Sequence, residues 1–145
     1  MVKKLILMLM VALTFTVTAQ TSGSNVKKIN SVEFKKLVSD YNGGYKSWKF
    51  VGKKPVIIDF YADWCGPCKK LAPIVDELSK DYNGKIDFYK LDIDANEDIA
   101  KAYSITSIPM IMIVPATGSP QIITGLYPKD ELVKAINYVI FPKKK

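Results

Sequence analysis

VIIDFYADWCGPCKKLAPIVDEL, residues 56–78, carries a strand into a helix across a pair of cysteines. The run from Pro55 to Ala62 is almost unbroken in β-branched and aromatic residues, the composition of a strand buried on both faces of a parallel sheet. Past the cysteines, Leu71, Ile74, Val75 and Leu78 recur at helical spacing. Pro73 falls inside that stripe, where it removes one backbone donor and favours a bend.

Upstream, VKKI at 26–29 reads as a short strand. NSVEFKKLVSDY then sets Phe34, Leu37, Val38 and Tyr41 on one helical face behind an Asn30 or Ser31 cap, with an end expected near Asn42-Gly43-Gly44. The aromatic and basic stretch from Tyr41 to Lys54 shows no period and reads as a connecting excursion. Downstream, KIDFYKLDI alternates as a strand and NEDIAKAY reads as a short capped helix with acids in its first turn. MIMIV and QIIT are strands joined across PATGSP as an antiparallel hairpin. Pro128 suits the first position of a last helix whose apolar face holds Leu132, Val133, Ile136, Val139 and Ile140. The resulting order, βαβαβαββα, calls for right-handed crossovers and one sheet covered on both faces.

Composition agrees with one folded unit: 145 residues, 48% apolar and 24% charged, exclude a disordered or fibrous chain. The start differs in kind. MVKK is basic, the next 13 residues are apolar, and Val17 and Ala19 are small residues placed for cleavage, the pattern of a signal peptide over 1–19. The apolar run is short of the roughly 20 residues a bilayer span needs, so cleavage leaves residues 20–145 as a single exported domain with no stable membrane insertion. Its loss removes Lys3 and Lys4 and no acid, taking the net charge from +7 to +5. All that positive charge is lysine, and without arginine to fork onto guanine or phosphate the chain reads as a solvated basic surface, not a nucleic-acid binder.

The cysteine pair has three possible uses: a metal clip, a staple or a redox centre. A tetrahedral Cys/His zinc site takes four ligands, and two cysteines with no histidine cannot supply them within one chain. Covalent haem attachment needs a histidine after the second cysteine, where Lys69 stands. A disulfide stabilises mainly by closing long loops, and Cys65 to Cys68 would enclose only Gly66 and Pro67. A redox pair suits the position. Cys65 falls at the start of a helix, where unpaired N–H groups and the helix dipole favour thiolate, leaving it the accessible nucleophile. Cys68, one turn inside, is shielded and placed to reach Cys65.

The quoted strand and helix resemble the active-site segment of thioredoxin, and SITSIPMIMI at 104–113 resembles that family's cis-proline segment. The resemblance covers element order from about Val26 to Pro142. It implies the thioredoxin fold, an α/β single domain with a central mixed sheet flanked by helices, and it implies thiol–disulfide exchange on protein substrates with no cofactor. By similarity, Cys65 attacks a substrate disulfide and Cys68 resolves the mixed disulfide, leaving Cys65–Cys68 oxidised. Asp59 matches the family's buried carboxylate, expected to titrate high and to accept the Cys68 proton. Lys90 matches the lysine that supports it. Pro109 matches the cis-proline, Ile108 offers its backbone to an extended substrate, and Trp64, Gly66, Pro67 and Gly125 complete the substrate rim.

Two positions and one segment depart from the common pattern: Tyr61 where tryptophan is frequent, Met110 where threonine is frequent, and a longer Tyr41–Lys54 connection. Gly66-Pro67 resembles reducing members, yet an exported protein is beyond the reach of a cytosolic reductase. The resemblance therefore implies a membrane electron donor of DsbD-like type. An oxidase with reversed electron flow, and a thioredoxin-fold binding module or chaperone with incidental cysteines, are the competing readings.

Overall fold

Alternation along the central strand decides which residues face which layer. The structure, a computed structural model, describes residues 23–143; the expected signal peptide at 1–19 lies outside them. Five strands, β1 (Val26–Lys28), β2 (Val56–Tyr61), β3 (Asp87–Asp92), β4 (Met110–Val114) and β5 (Gln121–Thr124), form one sheet in the order β1-β3-β2-β4-β5. β2 pairs parallel with β3 and antiparallel with β4, and β4 pairs antiparallel with β5 as the expected hairpin.

Helices α1 (Ser31–Leu37) and α3 (Glu97–Ala102) cover one face, α2 (Gly66–Asp81) and α4 (Lys129–Ile140) the other. Because side chains alternate along a strand, Val56, Ile58 and Phe60 enter the α1/α3 core. Ile57 enters the α2/α4 core with Leu71, Val75, Leu78, Leu132 and Ile136. Asp59 shares the parity of Ile57 and so points under α2, next to the cysteines.

Several boundaries differ from the sequence reading. α1 ends at Leu37, not near Asn42, because Ser39 turns away to form an isolated antiparallel bridge with Phe50. Its start matches: Asn30 and Glu33 close a reciprocal capping box. The Tyr41–Lys54 excursion contains one 3₁₀ turn, Gly44–Ser47, which sets Tyr45 and Trp48 edge-on against Tyr103 at 4.9 and 6.2 Å. α3 has Asn96 in the cap position, but the side chain is diverted. Its Oδ1 accepts from the Ser31 backbone N–H (2.8 Å) and hydroxyl (3.0 Å), and its Nδ2 donates to the Asp92 carbonyl. Pro128 caps α4 from outside instead of opening it.

Gly44 illustrates how tightly the excursion is tied down. Its φ is +54°, and a Cβ there would lie 2.2 Å from the Ala102 carbonyl oxygen. Gly44→Ala combines a left-handed backbone penalty with a clash against main chain, and is expected to cost about 2 kcal/mol in urea unfolding. Gly66→Ala, with open space around its Cβ position, is its control.

Candidate active site

The end of β2 and the first turn of α2 build the centre. Cys65 is the N-cap of α2 in extended conformation, and its Sγ accepts from the Cys68 backbone N–H at 3.2 Å. That N–H is one of the first-turn donors with no partner inside the helix, so the cap is a sulfur where a hydroxyl or carboxylate would usually stand. Gly66 and Pro67 occupy the first two helical positions. Proline fits there because its preset φ suits the helix and its missing N–H would have had no partner. Cys65 and Cys68 are joined as a disulfide with Cα atoms 5.3 Å apart.

Exposure does not separate the two cysteines as the sequence reading expected. Each is only 3% exposed, because Ala62, Tyr61, Ile93 and Ile108 pack around the closed disulfide. What distinguishes the sulfurs is their neighbours. Cys65 holds the helix cap, whereas Cys68 borders a cavity of about 150 Å³ with Asp59, Tyr61, Asp63, Lys69 and Lys90 in its wall.

Asp59 is 4% exposed and its Oδ1 has no hydrogen-bond partner. Burial pushes its carboxyl up to about 7; the Lys90 ammonium opposes that rise and Asp76 adds to it. Lys90 is the register partner of Asp59 across β2 and β3, on the same face. The two nevertheless form no ion pair within 4.0 Å among the described residues. Lys90 Nζ sits instead 5.9 Å from the centre of the Tyr61 ring. The expected support of Asp59 by Lys90 is thus a field across the cavity rather than a contact.

On the opposite side of the disulfide, Trp64, Ile93, Ile105, Thr106, Ser107 and Ile108 line a groove of about 360 Å³. Trp64 is 71% exposed, so it is no packing residue, and its Nε1 donates to Asp94 Oδ2 at 2.8 Å. The Ile108–Pro109 bond is cis, Ile108 packs against the cysteines, and the Pro109 carbonyl accepts from the Gly125 N–H at 2.8 Å. Gly125 has φ +112°, which lets the chain turn out of β5 and leaves Leu126 and Tyr127 exposed.

Residues 25–138 match the family model for thioredoxin. The chain belongs to the thioredoxin family. It is 47% identical over 98 residues to thioredoxin of Borreliella burgdorferi, across 68% of this chain and 83% of that one. It is 41% identical over 108 residues to the chloroplastic M-type thioredoxin of Spinacia oleracea, across 74% and 60%. Chloroplastic thioredoxin z, at 24% identity, superposes over 79% of this chain and 93% of its own with a TM-score of 0.63, a likeness of fold. As a thioredoxin with an intact cysteine pair, the protein is a thiol–disulfide oxidoreductase acting on protein disulfides.

Sequence reading of this thioredoxin missed Asp94, Ile93, Ile105 and Thr106. Trp64 and Asp94 are thirty residues apart and meet only through the register of β2 and β3. The one available signal was the acid pair Asp92 and Asp94 just past an alternating strand. Its order is internal, since the Asp94 N–H donates to Asp92 Oδ1 at 3.0 Å, which holds the turn beneath the indole.

Proposed function

We propose that this thioredoxin is an exported reductase or isomerase of protein disulfides that receives electrons from a membrane donor of DsbD-like type. One observation carries the assignment of Cys65 as the attacking sulfur, while the reducing direction rests on the resemblance of Gly66-Pro67 to reducing members. The Cys65 sulfur occupies the helix cap and accepts the Cys68 N–H, an arrangement that stabilises negative charge on Cys65 once the disulfide opens. Export rests on the basic and apolar start of the chain, with its small residues at 17 and 19.

In the reduced protein the Cys65 thiolate attacks one sulfur of the substrate disulfide. The substrate S–S bond breaks, one substrate thiolate leaves and takes a proton, and a mixed disulfide forms. Asp59 then accepts the Cys68 proton across the cavity they share, and the Cys68 thiolate attacks Cys65 Sγ. The second substrate thiolate leaves. Two electrons have passed to substrate, and the Cys65–Cys68 disulfide is restored. Lys90 supports the Asp59 anion. Trp64, Gly66, Pro67, Ile108, Pro109 and Gly125 form the rim along which an extended substrate segment pairs with backbone.

Equilibration of the extracytoplasmic protein with glutathione tests this reading. The expected potential is near the value of about −270 mV known generally for thioredoxin, with the cysteines reduced on thiol trapping in cells. A potential close to the roughly −120 mV of DsbA, with the cysteines trapped oxidised and clients left reduced on deletion, would reverse the electron flow and make the protein an oxidase.

A further inference from the structure

We propose that Tyr61 is a positioning residue that holds the Lys90 ammonium over its ring and off the buried Asp59 carboxylate. Asp59 and Lys90 are register partners on parallel strands, and strands lie only about 4.8 Å apart. A four-carbon lysine stem reaches a carboxylate at that spacing with ease. The ammonium is nevertheless found 5.9 Å from the Tyr61 ring centre, and Asp59 Oδ1 has no partner. Something outside the pair holds it there.

The sheet shows what does. Lys28, the last residue of β1, is the register partner of Lys90 within β3, so two lysines stand side by side on neighbouring strands. Lys28 Nζ lies 5.8 Å from the same ring. The negative face of an aromatic ring attracts cations within about 6 Å, and a ring shared by two like charges offsets their repulsion. For Lys90, moving onto Asp59 means leaving that ring and entering a desolvated pocket, a cost that a single ion pair offsets poorly. The other charged groups around Asp59 are Asp63 and Lys69 at the cavity wall and Asp76 on α2; Cys68, which also borders the cavity, is held in the disulfide and does not titrate in the oxidised protein. Of the two cations lining that cavity, Lys90 is the one held against the ring.

The proposal uses the reading of Asp59 as proton acceptor only for its kinetic consequence; the placement of Lys90 is tested separately. The Asp59 carboxyl carbon is titrated by NMR in the oxidised full chain of the parent, Tyr61→Leu, Lys90→Met and the double variant. Loss of the ring lets Lys90 close on Asp59, so the Tyr61→Leu midpoint is expected to fall by about 1 to 3 pH units, the usual effect of an adjacent cation. Lys90→Met should raise the midpoint, and in that background Tyr61→Leu should no longer lower it. Tyr61→Phe keeps the ring face and should titrate as the parent does, while Tyr61→Thr offers a second, strand-compatible way to remove the ring. An unmoved or raised midpoint in the ringless variants would overturn the proposal. So would an equal fall with Lys90 already gone, which would assign the effect to water entry. If the midpoint falls while the pH profile of mixed-disulfide resolution stays put, the placement of Lys90 stands and the proton-acceptor role of Asp59 fails.

Discussion

Cys65→Ser is expected to abolish disulfide reduction, lowering kcat/KM in an insulin-type turbidity assay by about 10³-fold or more. A serine hydroxyl can keep the cap by accepting the Cys68 N–H, so the fold should survive the change. It cannot supply a thiolate, and Cys68 is the chain's one other thiol, set on the cavity side of the centre and away from the Trp64 groove. Cys68→Ala should behave differently. The first attack proceeds, resolution does not, and substrates accumulate as mixed disulfides on Cys65 that can be isolated from the native compartment. Unchanged client protection by Cys65→Ser in cells, with no trapped species from Cys68→Ala, would favour a binding module whose cysteines are incidental.

Asp59→Ala should stabilise the protein at neutral and alkaline pH while impairing its chemistry. Burial raises the Asp59 carboxyl from 3.8 to about 7 in the folded state, so between those values the folded protein holds a proton that the unfolded chain has released. Stability therefore falls as pH rises from about 4 to 7, and the loss is complete above the folded value. A difference of that size corresponds to about 4 kcal/mol at pH 8. The methyl group of alanine leaves the existing cavity somewhat larger, which offsets part of the gain. Urea unfolding of the oxidised protein is thus expected to show Asp59→Ala ahead of the parent by about 2 to 4 kcal/mol at pH 8, with the gap closing near pH 4. Parallel pH profiles would mean that Asp59 is not the buried group that titrates. The same variant should slow resolution of the mixed disulfide by about 100-fold, as loss of a general base does.

These two results separate the parts of the centre. In the proposed mechanism Cys65 is needed for the covalent step whatever the pH, whereas Asp59 would trade stability for a proton acceptor poised near neutrality. A carboxylate kept in a core strand without a hydrogen-bond partner on its buried Oδ1 has a cost and no packing benefit, and that cost is the physical ground for the proposed role of Asp59.

Legibility of the fold follows from how local each signal is. β2 and α2 could be read because period-two and helical patterns meet at one junction, and the capping box of α1 lies within four residues. The end of α1 could not be read, because Ser39 leaves the helix to pair with Phe50, a partner outside any local window. The cap of α3 failed for a similar reason: Asn96 is a good cap by type, but Ser31, sixty-five residues earlier, takes its side-chain oxygen.

That a strand delivers a thiol to a helix N-terminus follows from the amino-acid order alone, since strand alternation, cap position and the Gly66-Pro67 turn are all local properties of one short segment. The absence of histidine and of further cysteines likewise rules out a Cys/His metal site within one chain. Where the charges around that thiol stand depends on the folded chain. Lys90 lies over Tyr61 and not on Asp59, the indole of Trp64 is held out by Asp94, and the two sulfurs are equally buried while facing different surroundings. The reason is register. Each of these contacts joins residues on different strands or loops, and a single-residue slip of β3 against β2 would turn its side chains to the opposite face.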